Sequence, residues 1–182
     1  MKEKVIVLFP GRNYPVECPT LYYARQVAIN RGYECITLRY SDISKDRNID
    51  LGILADRLED EVNEQLSTIN WNEYNEIIFV SKSIGTVIAG RYQNKNDIHV
   101  KNIYLTPLKE TMNYMNANNS VVVIGEDDEY IDFKYLYDYC NKNNIIINSF
   151  EGVGHSFNDK LHIERSISIL NDIVKIYEQY IE

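Results

Sequence analysis

Six short runs of apolar, largely β-branched residues punctuate this chain, at positions 5–9, 35–38, 77–80, 100–105, 121–124 and 145–150. They are near-continuously apolar rather than alternating, which is the pattern of parallel strands covered on both faces. Helical patterns fill the gaps. A helix is expected over 20–31, with Pro19 and Thr20 at its start and Gly32 placed for the left-handed residue beyond its end. A second is expected over 51–69, where Leu51, Leu54, Leu58, Val62, Leu66 and Ile69 keep helical spacing and the other face is strongly charged. Further helices are expected over 84–92, 133–141 and 161–181, the last with Ile163, Ile167, Leu170, Ile173, Val174 and Tyr177 turned inward. Strand–helix alternation at this spacing predicts an α/β fold: a three-layer α/β/α sandwich around a mostly parallel six-stranded sheet with right-handed crossovers. No repeat, low-complexity tract or Pro/Gly/Ser linker interrupts the pattern, and 182 residues suit one domain over 1–182.

Composition narrows the function. No apolar run approaches the roughly 20 residues of a membrane span. The run at 5–9 is too short for a signal peptide and lacks a small-residue cleavage site, so a cytoplasmic protein without a membrane partner is expected. A net charge of -8, from 19 basic and 27 acidic residues, argues against nucleic acid. Cys18, Cys35 and Cys140 are odd in number and far apart, so they read as reduced thiols and indicate neither a disulfide framework nor a metal site. Oligomeric state is left open by these features.

The chemistry is concentrated after the third strand. The run Ile77-Ile78-Phe79-Val80 ends in Ser81-Lys82-Ser83-Ile84-Gly85, and a helical pattern begins at once. A strand–turn–helix of this kind lifts a serine hydroxyl out of the sheet and aims a helix N-terminus at it. Ser83 is therefore the candidate nucleophile. Serine is a weak nucleophile at neutral pH and needs a base within hydrogen-bond reach. His155, in Gly154-His155-Ser156-Phe157, lies just beyond the last strand, where open α/β sheets gather their sites. His99 and His162 lack that placement and read as structural. Asp128, in Gly125-Glu126-Asp127-Asp128, is the candidate acid that fixes the imidazole tautomer. Asp127 is the second choice, and Glu126 reads as solvated. An oxyanion needs two N–H donors. The amide of Ile84 is one, and the amide of Arg12 in Pro10-Gly11-Arg12 is the candidate for the other, with Gly11 allowing close backbone approach. Gly11, Tyr14, Lys82 and Tyr130 are candidates for substrate contact. Arg12 and Lys82 either attract an anionic group or point to solvent. Tyr14, Tyr22, Tyr130, Met112 and Met115 either form an acyl pocket or pack loops and outer helices. A P-loop is disfavoured because Ile77–Val80, not glycines, precede Lys82, and residues 10–15 lack a dinucleotide-binding glycine pattern.

Taken together, Pro10-Gly11-Arg12, Ser81-Lys82-Ser83-Ile84-Gly85, Gly125-x-x-Asp128 and Gly154-His155-Ser156-Phe157, each after its strand, resemble the α/β-hydrolase superfamily over essentially the whole chain. The order Ser, Asp, His is that of the superfamily. The resemblance implies a serine hydrolase that cleaves an ester or thioester of a small-molecule acyl substrate through an acyl-enzyme, with no cofactor and no metal. Ser81 stands where glycine is commonest. The two antiparallel strands that open larger members have no counterpart, and residues 106–119 are too short for a lid. The chain is thus similar in scale to the dienelactone-hydrolase-like and small esterase groups. The alternative is a non-catalytic binding or interaction protein on the same scaffold.

Overall fold

The computed structural model describes residues 4–46 and 48–182. In chain order the elements are β1 (Lys4–Phe9), α1 (Pro19–Asn30), β2 (Glu34–Thr37), α2 (Leu51–Gln65), β3 (Glu76–Lys82), α3 (Ile84–Lys95), β4 (Lys101–Leu105), β5 (Ser120–Gly125), α4 (Phe133–Lys142), β6 (Ile146–Phe150) and α5 (Ile163–Tyr180). Short 3₁₀ turns at Asp42–Lys45, Trp71–Glu73 and Lys109–Tyr114 complete the connections.

The strands form one six-stranded sheet in the order β2-β1-β3-β4-β5-β6. Every neighbouring pair is parallel. The chain steps outward from β1 to β2, then returns across β1 to build the other side from β3. That reversal opens a crevice at the carboxyl ends of β1 and β3, the place where such sheets bind ligands. The loop of Arg12 follows β1 and Ser83 follows β3, so topology alone puts them side by side.

Strand parity divides the core. Ile6, Leu8, Ile78, Val80, Ile103, Leu105, Val121 and Val123 face α1 and α5, packing on Leu21, Ala24, Ile173 and Tyr177. Val5, Val7, Phe9, Ile77 and Phe79 face α2 and α3, packing on Leu54, Leu58, Val62 and Ile88. A smaller cluster joins Tyr104, Val122 and Ile124 to Leu136 and Cys140 of α4 and to Met112 and Met115. The two methionines are therefore core packing rather than an acyl pocket. Burying both sheet faces is what the unbroken apolar runs require.

Three helices depart from their sequence patterns. The helix expected over 51–69 ends at Gln65, because the Ser67 hydroxyl donates to the Glu64 carbonyl at 2.7 Å and closes the last turn. The helix expected over 84–92 runs on to Lys95, since Gln93 is buried and its side-chain oxygen accepts from Asn102 Nδ2 at 2.7 Å. In α5 the inward face is Ile169, Ile173, Ile176 and Tyr177, whereas Ile163 and Ile167 are 69% and 63% exposed. Ile173 and Tyr177 thus face inward as expected and Val174 is partly buried against the same core, whereas the stripe of Ile163 and Ile167 lies about 100° round the helix from the core face. Both stripes have helical spacing, and only packing against β1 and α1 selects between them. The same helix starts late because the Asp159 carboxylate accepts the N–H groups of Leu161 and His162 at 2.8 and 2.9 Å.

This assignment of faces is checked by urea denaturation. Ile173→Ala should lower unfolding free energy by about 2–5 kcal/mol, while Ile167→Ala should stay within about 0.5 kcal/mol. Equal losses would contradict it.

Candidate active site

Ser83 sits at φ 54° and ψ -123°, a conformation that L residues seldom adopt. It links β3 directly to α3, with its N–H bonded to the Leu105 carbonyl at 3.0 Å. The sharp reversal places the first turn of α3 against the end of β1. A Cβ at Gly85 would lie 2.3 Å from the Pro10 carbonyl oxygen and 2.8 Å from that of Phe9, so glycine is required there. Ser81, fully buried, is small enough to keep the turn tight.

The hydroxyl raised by this turn meets an imidazole. Ser83 Oγ lies 2.8 Å from His155 Nε2, and His155 Nδ1 lies 2.8 and 3.1 Å from the two carboxylate oxygens of Asp128. With Asp128 accepting from Nδ1–H, Nε2 is left as the acceptor of the Ser83 hydroxyl. The Asp128 carboxylate is fully buried and also accepts the Tyr130 N–H at 2.9 Å. The competing acids are placed elsewhere: Glu126 accepts from the Ser149 hydroxyl at 2.7 Å, and Asp127 is exposed. The loops of Asp128 and His155 are pressed together, since a Cβ at Gly125 would stand 2.1 Å from the Val153 carbonyl oxygen. The Tyr130 ring packs edge-on against the His155 ring, with centroids 4.5 Å apart. His99 and His162 are both exposed and outside this group.

Residues 11–14 form a tight turn closed by Gly11 N–H to Tyr14 O at 2.9 Å and Tyr14 N–H to Gly11 O at 3.2 Å. Its tip carries Arg12 and Asn13. Among the described residues the backbone N–H groups of Arg12 and Ile84 donate to no protein acceptor. Both residues line an open cleft of about 520 Å³ with Asn13, Leu51, Ser83, Leu108, Tyr130 and His155. The Arg12 guanidinium donates to the Asp46 carbonyl, which ties the turn to the segment before α2.

The other expected substrate contacts fall differently. Tyr130 lines the cleft. Tyr14 is turned away, its hydroxyl 2.9 Å from that of Thr20, and burial raises its pKa. Gly11 packs on the stem of Lys82 instead of facing the cleft. Lys82 is 2% exposed, and its ammonium donates to the Thr106 hydroxyl and, at 2.7 Å, to the His155 carbonyl. It shares the strand face of Ile78 and Val80, so it enters the core rather than the solvent or the cleft. Tyr22 meets Tyr23 edge to face on the outer surface of α1. Asn13, Leu51 and Leu108, which no sequence pattern singles out individually, also line the cleft. Leu51 opens α2 and extends the apolar series of that helix, so its exposed end position was the available signal. Asn13 and Leu108 depend on loop paths that no pattern encodes.

Among the described residues no group of three or more His, Cys, Asp or Glu is arranged to hold a metal ion. No helix among them is long and apolar enough to cross a membrane.

No protein-family model matches the sequence, and no curated protein matches it significantly. Solved structures do match. A Xanthomonas campestris protein provisionally described as a hydrolase of the alpha/beta superfamily aligns with TM-score 0.67 at 12% identity, over 97% of this chain and 99% of that one. Est1E from Butyrivibrio proteoclasticus, solved with ferulic acid bound, gives TM-score 0.68 at 10% identity, over 98% and 88%. Mouse alpha/beta hydrolase domain-containing protein 10 gives 0.60 at 12% identity, over 97% and 92%. At such identities what is shared is backbone architecture, and over nearly its whole length this chain has the α/β-hydrolase fold.

Proposed function

We propose that this protein is a serine hydrolase that cleaves an ester or thioester bond of a small acyl compound. The observation that carries the reading is the continuous hydrogen-bonded path from Ser83 Oγ through the His155 ring to the buried Asp128 carboxylate. In this reading His155 Nε2 takes the Ser83 proton as Oγ attacks the acyl carbonyl. The backbone N–H groups of Ile84 and Arg12 receive the oxyanion, and the N-terminus of α3 adds its favourable dipole. Asp128 orients the ring and stabilises the imidazolium. That imidazolium returns the proton to the departing alcohol or thiol, leaving the acyl group on Ser83. Water, deprotonated by His155, then attacks the acyl-enzyme and releases the acid, restoring Ser83. The sequence consumes one water and needs no cofactor.

The cleft suggests the scale of the substrate. Leu51, Leu108 and Tyr130 offer apolar walls within about 520 Å³, room for a short acyl chain. Hydrolysis of p-nitrophenyl esters of rising chain length, together with acyl-CoA thioesters, would define bond type and pocket depth.

A fluorophosphonate probe should label wild type and fail to label Ser83→Ala. Ser83→Ala and His155→Ala should each lower kcat by about 10⁴- to 10⁶-fold, and the double variant should lose little more than either. Losses that multiply would contradict a shared unit, and an unlabelled wild type would favour a non-catalytic binding protein. Activity should fall on the acid side as the imidazole takes up a proton. A flat rate from pH 5 to 8 would sink the histidine base.

A further inference from the structure

The reaction proposed above leaves Lys82 without a role, yet no other side chain of the neighbourhood is placed so strangely. Parity along β3 sends it to the face of Ile78 and Val80, beneath the loop that carries His155. Its stem is covered by Gly11, where a Cβ would come within 3.2 Å of Lys82 Cγ. Its Nζ stands 5.3 Å from the ring centroids of both Tyr14 and Phe157. It donates to the Thr106 hydroxyl and to the His155 carbonyl. On the other side of the same residue, the His155 N–H donates to the Glu129 carboxylate at 3.3 Å. The main chain at His155 is thus gripped from both ends while its ring nitrogens engage Ser83 and Asp128.

The geometry points to Lys82 as a positioning residue, a buried ammonium that pins the main chain of His155 and so keeps the imidazole in register with Ser83. This inference rests on the hydrolase reading. Lys82 precedes Ser83 in the chain, so one side chain ties the strand bearing the hydroxyl to the loop bearing the base. A displacement of about 1 Å between such groups is enough to slow a reaction by about 100-fold.

Stability does not account for the residue. Among the described residues no carboxylate contacts Nζ; Asp128 and Glu129 act on it only at longer range. Removing an ammonium from water without a contacting anion is unfavourable, and even buried ion pairs can often be replaced by apolar residues with neutral or stabilising effect. Burial accordingly pulls the Lys82 pKa down to about 7 from its ordinary 10.5. The sign follows from proton counting. Below pH 7 both native and unfolded chains hold the proton, and the burial penalty is complete. Between about pH 7 and 10 the unfolded chain still holds a proton that the native protein has released, so the contribution of Lys82 to stability improves as pH rises. The groups facing Nζ are Tyr14 after β1, Thr106 after β4, Asp128 and Glu129 after β5, and His155 and Phe157 after β6.

The test compares wild type, Lys82→Met and Thr106→Val in p-nitrophenyl acetate hydrolysis from pH 5 to 9, fluorophosphonate labelling, and urea unfolding. Lys82→Met should unfold no more readily than wild type at pH 7, and wild type should gain on it in stability as pH rises through the window above. Its kcat and labelling rate should nevertheless fall by about 10- to 100-fold with KM changed less than about threefold. The acid limb of its rate profile should move to higher pH, because a positive charge near the imidazolium has gone. Thr106→Val, which keeps the lysine and removes one anchor, should lose about 3- to 10-fold in kcat, and it carries the test if Lys82→Met does not fold. A folded Lys82→Met with wild-type kcat and an unmoved acid limb overturns the inference, as does an unaltered Thr106→Val where Lys82→Met does not fold. A wild type that the probe does not label overturns the hydrolase reading itself, and this inference with it.

Discussion

Everything at the candidate site hangs on one residue being held in a backbone conformation it would not choose. A non-glycine residue in a sparsely populated region costs about 1–3 kcal/mol, and persists only where its surroundings over-determine it. Ser83, at φ 54°, is such a residue. Parallel pairing of β3 with β1 and β4 fixes the chain on one side of it. The seating of Gly85 on the Pro10 and Phe9 carbonyls fixes the chain on the other. With both ends determined, the hydroxyl has one place to go, above the carboxyl edge of the sheet. The sheet is therefore less a container for the site than the device that makes an unfavourable turn inescapable.

Around that turn, four loops converge from the ends of β1, β4, β5 and β6, and each contributes polar groups. Their contacts follow an order of increasing burial, from Tyr130 at the cleft, through the His155 ring, to the fully enclosed Asp128 carboxylate. An opposite charge, Lys82, lies beneath the same loop. The low-dielectric setting strengthens each of these interactions and makes each unpaired group expensive. That is why Gly125 and Gly154, which let the loops of Asp128 and His155 close on each other, matter as much as the polar residues they bring together.

Much of this was legible beforehand, and for physical reasons. Parallel strands buried on both faces leave an unbroken apolar signature, and all six were visible. A serine between a strand and a helix, with a glycine two residues on, signals a tight strand-to-helix turn, and such a turn is found there. Asp128 and His155 were legible because each follows a strand ending at the same sheet edge. What escaped depends on choices made in three dimensions. The α5 sequence carries two apolar stripes, and only packing against α1 and β1 picks one. The cleft walls Asn13 and Leu108 come from loops, whose paths have no period. Lys82 is the instructive miss: its charge suggested solvent or substrate, but its place two residues after Val80, on the same strand face, already pointed it into the core.

The connection from β4 to β5 has a consequence for the shape of the cleft. In residues 106–119 the chain folds back as a 3₁₀ turn, with Met112 and Met115 anchored against Tyr104 and α4. That segment is nailed down rather than hinged. Leu108, which is partly buried against the core of α2 and α3, is thereby held as a fixed wall of the cleft.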